Sequence, residues 1–142
     1  MSPVLLLDTH VWVWTLEGDE RRIGRRSRVL LERAKAGDAI RVSPISIFEV
    51  TALQAAGHLR LSQSLEPWLE SALDGAGIRL ASLSRESAVD AGLLARTAMP
   101  DPLDRLLIAS ARQLAATFVT ADRRILDYAA SAYDLRVHDA RR

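Results

Sequence analysis

Five acidic residues, Asp8, Glu49, Asp101, Asp104 and Asp122, carry the side chains in this sequence best suited to chemistry. A set of carboxylates with no cysteine and one neighbouring histidine, His10, offers only hard oxygen donors in number. Such donors select Mg²⁺ or Mn²⁺ over zinc. Those ions, held by a few carboxylates and several waters, characterise phosphoryl-transfer sites. Each acid also has a plainer use. Asp8 and Asp122 suit cap or loop positions after strands. In DPLDR (residues 101–105), aspartate is a favoured N-cap, proline a favoured first helical residue, and Asp104 complements the helix dipole. On its own that segment specifies a helix start.

Glu49 is harder to explain as decoration. The helix expected after Ser43-Pro44 places Ile45, Phe48, Ala52 and Ala56 at spacings of three and four, a candidate buried stripe. At the helical rotation per residue, Glu49 projects about 40° from Ile45 and about 20° from Ala56, inside that stripe. A lone buried carboxylate takes up a proton or destabilises the fold. Two partners are open to it, an arginine or a shared cation. Asp104 borders an apolar face made by Leu103, Leu106, Leu107, Ser110, Ala111 and Leu114.

The elements that must hold these acids follow from patterning. Short apolar runs at 4–7, 40–42, 78–81, 117–120 and 135–138 read as strands. Amphipathic segments at 11–16, 25–36, 44–56, 65–73, 84–97, 102–115 and 123–130 read as helices. Strands alternating with helices predict an α/β fold with a largely parallel sheet. Ligands of such sheets bind beyond the carboxyl ends of the strands. Asp8 closes the first strand, and Asp122 lies two residues past the strand TFVT. Four carboxylates at one sheet edge repel one another unless something positive sits among them.

The 142 residues are the size of a single domain, expected to span 1–142. Nineteen basic against eighteen acidic residues give a net charge of +1, so any nucleic-acid binding has to come from a local patch. The absence of cysteine excludes disulfides, thiolate metal sites and cysteine nucleophiles. The start, MSPVLLLDTHVWVW, lacks the basic beginning and cleavage site of a signal peptide, and no segment approaches a membrane span. A cytoplasmic location is expected.

LLLDTHVW at the start, SPISIFE at 43–49, DPLDRLLIASA at 101–111 and FVTAD at 118–122 resemble the successive motifs of PIN-domain ribonucleases. Within these they are most similar to the VapC toxins of bacterial type II toxin–antitoxin systems, in the DPFDR-type subgroup. The resemblance spans almost the whole chain. It implies a PIN-like α/β/α sandwich around a mostly parallel sheet of four to five strands, and an Mg²⁺- or Mn²⁺-dependent endoribonuclease. It carries the family's acids onto Asp8, Glu49, Asp104 and Asp122, with Asp8 and Asp104 as metal ligands. Glu49 would bind metal or orient water, and Asp122 would complete the cluster. Thr120 and Ser46 resemble the hydroxyl residues that hold the acids or water, and Asp101 is common in the subgroup. Leu53, Met99 and Leu103 replace the lysine, histidine and phenylalanine frequent there.

The reaction so implied is in-line hydrolysis of an RNA phosphodiester, leaving 5′-phosphate and 3′-hydroxyl ends. Because an acidic site repels phosphate, cations around it must hold the RNA; Arg105 and the run Arg21, Arg22, Arg25 and Arg26 are candidates. The resemblance further implies a homodimer and a cognate VapB-type antitoxin, with apolar surface on the helices at 10–16 and 44–56. Core packing is the competing use for Trp12, Trp14 and Phe48. The alternative function is a PIN-like module that binds RNA or protein without cutting.

Overall fold

Leu5, Leu6 and Leu7 are wholly buried, and they alternate between two cores. Leu5 and Leu7 pack with Trp12, Leu31, Val50 and Trp68, whereas Leu6 packs with Met99, Leu107, Phe118 and Ile125. Side chains of a strand point to opposite faces, so this alternation means that helices cover both sides of the sheet. The computed structural model describes residues 3–132 and 134–142. Its strands are β1 (Leu5–Leu7), β2 (Ile40–Val42), β3 (Arg79–Leu80), β4 (Thr117–Thr120) and β5 (Arg136–Asp139). They pair in the order β3-β2-β1-β4-β5, and every pairing among the described residues is parallel. The expected α/β/α sandwich is thus present, with an all-parallel sheet of five strands.

The helices are α1 (Thr9–Glu17), α2 (Arg25–Ala36), α3 (Pro44–Ala55), α4 (Leu65–Ala72), α5 (Arg85–Leu93), α6 (Pro102–Gln113) and α7 (Arg123–Ala130). α1 to α4 contribute to the Trp12 core, and α6 and α7 to the Phe118 core. Trp12 meets Trp68 edge-on with centroids 4.9 Å apart, and its indole N–H donates to the Ala72 carbonyl at 3.0 Å. The tryptophan's polar atom is therefore satisfied where water cannot reach. No helix among the described residues is long and apolar enough to cross a membrane.

Two expectations need correction. α5 ends at Leu93, not near residue 97, because Gly92 weakens its last turn and Leu94 is already extended. The chain then turns to bring Met99 into the core, where it is fully buried. The inward line of α3 is Ser46 and Val50; of the expected stripe Ile45 packs, half-buried, against the second core, while Phe48, Ala52 and Ala56 are exposed. Phe48 is 58% exposed. Ser46 turns inward where the first turn of α3 meets α1, its hydroxyl 2.8 Å from Thr9 Oγ1. Glu49 therefore flanks the inner line, about 60° from Ser46, and is half-buried. Trp12 is core and Trp14 is half-buried.

Candidate functional site

A parallel sheet brings the carboxyl ends of its strands to one edge, and there the acids collect. Asp8 follows β1 and caps α1. Its Oδ1 accepts the Thr9 N–H at 2.8 Å, and its Oδ2 accepts the hydroxyl of Thr120, the last residue of β4, at 2.6 Å. The same Thr120 oxygen accepts the Asp122 N–H at 3.0 Å. One buried threonine thus ties the first strand's acid to the fourth strand's. Asp122 in turn caps α7 by accepting from the Arg124 N–H at 2.9 Å.

Glu49 arrives from α3. The Thr9 hydroxyl donates to its Oε1 at 2.7 Å, and Thr9 Oγ1 also lies 2.8 Å from Ser46 Oγ. A hydroxyl has one proton. With Thr9's proton on the carboxylate, Ser46 supplies the second bond. Asp101 caps α6, accepting the Leu103 N–H at 2.9 Å. Asp104 sits in the first turn of α6 with no hydrogen-bond partner among the described residues.

Asp8, Glu49, Asp101, Asp104 and Asp122 line one cleft of about 350 Å³, together with His10, Trp14 and Ala121. Burial raises the pKa of Asp8 against the bonds from Thr120 and Thr9 that lower it. Burial likewise raises that of Glu49, opposed by the Thr9 bond. Asp104 is pushed up to about 7, first by burial and then by the charges of Asp101, Asp8, Asp122 and Glu49. Among the described residues none of the five carboxylates makes a salt bridge. Arginine, the structural partner open to Glu49, is not there.

A cleft with this charge and these donors suits a hard divalent cation. Among the described residues, no three such groups already stand gathered closely enough to hold an ion. Asp104 is the one acid of the five whose carboxyl accepts no hydrogen bond among the described residues. A more apolar cavity of about 440 Å³ lies on the other side of Trp14, but none of the five acids lines it.

The predicted arginines are not equivalent. Arg22 pairs with Asp19 at 2.9 Å and lies 5.4 Å from the Trp14 ring centroid, and Arg105 donates to the Met99 carbonyl at 3.4 Å. Arg21, Arg25 and Arg26 are exposed and make no salt bridge among the described residues. Sequence reasoning missed Thr9, whose only signal is a hydroxyl directly after a strand-ending aspartate. It also missed the basic residues following Asp122 and β5.

A family model described as the PIN domain matches residues 5–131. The chain is 29% identical over 121 residues to ribonuclease VapC22 of Mycobacterium tuberculosis, covering 85% of this chain and 88% of that protein. It superposes on VapBC2 of Rickettsia felis, solved bound to a promoter DNA fragment, with a TM-score of 0.63 and 18% identity; 95% of this chain and 97% of that one are covered. A toxin–antitoxin complex from Klebsiella pneumoniae gives 0.61 and 17%, over 96% and 97%. With a family match over most of its length and a parallel sheet carrying the acids at one edge, this chain belongs to the PIN-domain family.

Proposed function

We propose that this chain is a divalent-metal-dependent endoribonuclease, acting in the cytoplasm as the toxin of a VapBC-type pair. The observation that carries the reading is the cleft itself: five carboxylates lining it with no arginine or lysine among the described residues paired to them, and one raised to about 7. A protein that only needed caps and loop acids would not draw Asp8, Glu49 and Asp104 into a partly buried cleft beside Asp101 and Asp122 at such electrostatic cost.

Asp8 and Asp104 are the residues to hold Mg²⁺ or Mn²⁺, with Asp122 and Glu49 completing the oxygen set. The cation, when bound, supplies positive charge for the phosphate and for the departing oxygen, and lowers the pKa of water. The chain's own residues do the rest. Thr120 fixes Asp8, and Thr9 occupies Oε1 of Glu49, leaving Oε2 to accept a proton from the attacking water. Water oxygen bonds to phosphorus as the bond to the 3′ oxygen breaks; the water's proton passes to Glu49 and the departing 3′ oxygen takes one from solvent, leaving a 5′-phosphate and a 3′-hydroxyl.

The relatives described as toxin–antitoxin complexes support a cognate VapB-type antitoxin as partner. We further propose a homodimer and one functional domain over 1–142. The test is incubation of the purified protein with a mixed RNA pool, with and without Mg²⁺ or Mn²⁺, beside Asp8→Asn and Asp104→Asn. Metal-dependent cleavage lost in both variants is expected. Cleavage that persists unchanged in both would sink the assignment, and RNA bound without cleavage would favour the non-cutting module.

A further inference from the structure

The end of β5 reaches the same edge as the acids. Its register sets Asp139 beside Thr120, and the Ala140 N–H donates to the Thr120 carbonyl at 2.8 Å. Past that point the chain is clasped to the start of α2. The Gly24 N–H donates to the Ala140 carbonyl at 2.8 Å, and the Ser27 N–H to the Arg142 backbone oxygen at 2.9 Å. Ser27 Oγ bonds that same oxygen at 2.9 Å and lies 2.8 Å from His138 Nε2.

This clasp assembles a basic rim from three distant segments. Arg26 follows from α2, Arg142 from the turn after β5, and Arg123 from the start of α7, directly after Asp122. Arg26 and Arg142 both act on the charge of His138. Arg123 and Arg142 line one cleft of about 410 Å³ with Asp127, His138 and Asp139. All three arginines are exposed, and none makes a salt bridge among the described residues. Of the two acids in that cleft, Asp139 is occupied by Arg141, through the N–H at 3.0 Å and Nε at 3.3 Å. Asp127, together with Asp139 whose charge also faces Arg123, opposes the guanidinium groups of Arg123 and Arg142, and Arg26 stands beside them next to Ser27.

A phosphate is repelled by an acidic cleft and has to be held by cations next to it. Exposed arginines suit that task, since each can take a phosphate bidentately. We propose that Arg26, Arg123 and Arg142 grip the RNA backbone where it leaves the cleft, so that the strand runs across the end of β5. This rests on the ribonuclease reading and names the substrate's path. Arg22 and Arg105 differ from these three in having partners, the Asp19 carboxylate and the Met99 carbonyl.

The test compares wild type with the triple variants Arg26→Gln/Arg123→Gln/Arg142→Gln and Arg26→Lys/Arg123→Lys/Arg142→Lys. Binding of a fluorescein-labelled single-stranded RNA of randomised sequence is followed by anisotropy across a salt series without divalent metal, and cleavage is measured separately with Mg²⁺ or Mn²⁺. Each phosphate contact adds about 0.7 to the slope of log affinity against log salt, so the Gln variant should be shallower by up to ~2. Its KM should rise on the order of tenfold with kcat unchanged, and the Lys variant should recover most of the slope. Wild-type slope and KM in the Gln variant, with cleavage intact, would overturn the rim and leave the ribonuclease reading standing. Binding that depends on the rim without any cleavage would do the reverse. Displacement of the RNA by polyglutamate at equal charge would assign the rim to acidic proteins and overturn the proposal.

Discussion

Thr9 and Glu49, forty residues apart in sequence, are joined by a 2.7 Å hydrogen bond from the threonine hydroxyl to Oε1. Thr9 is almost completely buried and Glu49 half-buried, so this bond is partly shielded from water. It fixes which carboxylate oxygen of Glu49 remains open to the cleft. Thr9→Ala should lower kcat by roughly 10- to 100-fold, the usual effect of removing a group that orients a metal-site carboxylate. Thr9→Ser, which keeps the hydroxyl, should restore most of it. Steady-state cleavage rates of the two variants check this, and equal losses in both would show that the methyl group matters instead.

Asp104 makes stability depend on pH in an unusual direction. Its carboxyl is raised from 3.8 to about 7 in the folded protein, so folding binds a proton at intermediate pH. The stability it contributes is fully present below about 4 and is lost as pH rises through about 7. Burial raises Asp8 and Glu49 the same way. In EDTA the Tm should fall as pH is raised across that window, and Asp104→Asn should flatten the fall. Mg²⁺ or Mn²⁺ should raise Tm most at the alkaline end, where the acids are ionised. A metal-free Tm that climbs with pH would contradict the electrostatics described above.

Gly24 is required by contact, not by a left-handed backbone, since its φ is −72°. A Cβ there would overlap the backbone oxygens of Arg141 and Arg142. Gly24→Ala should cost about 1–3 kcal/mol, the range for forcing atoms into filled space. Urea denaturation measures this, and a wild-type midpoint would show that the clasp between α2 and the chain after β5 yields easily.

Phe48 and Trp12 offer a contrast that tests the packing of α3 and α1. Trp12 is wholly buried, whereas Phe48 is 58% exposed. Trp12→Ala should therefore cost about 3–5 kcal/mol, and Phe48→Ala within about 0.5 kcal/mol in the isolated chain. Thermal or chemical unfolding of both variants decides it. A large loss for Phe48→Ala would restore the stripe that periodicity suggested.

The order and kind of the elements were readable in the chain, because each announces itself locally. Leu5–Leu7 is a continuous apolar run, Ser43-Pro44 and Asp101-Pro102 are capped starts, and TFVT is β-branched and aromatic. The convergence of Asp8, Asp104 and Asp122 on one edge could be inferred, since parallel strands all end on the same side. Periodicity failed at α3, where it ranked faces by hydrophobicity. The helix instead turned Ser46 and Val50 inward, with Ser46 hydrogen-bonded to Thr9 of α1.

Sequence alone thus determined the alternating α/β framework and the positions of the acids within it, through short-range patterns that neighbouring residues impose. Tertiary structure alone decided that Thr9 holds Glu49, that Thr120 ties Asp8 to Asp122, and that Arg142 lies against the start of α2. Those pairings depend on strand order and register, which bring residues 40 to 115 positions apart within hydrogen-bond distance. No local pattern encodes that choice, because it is set by which cores the strands and helices can jointly fill.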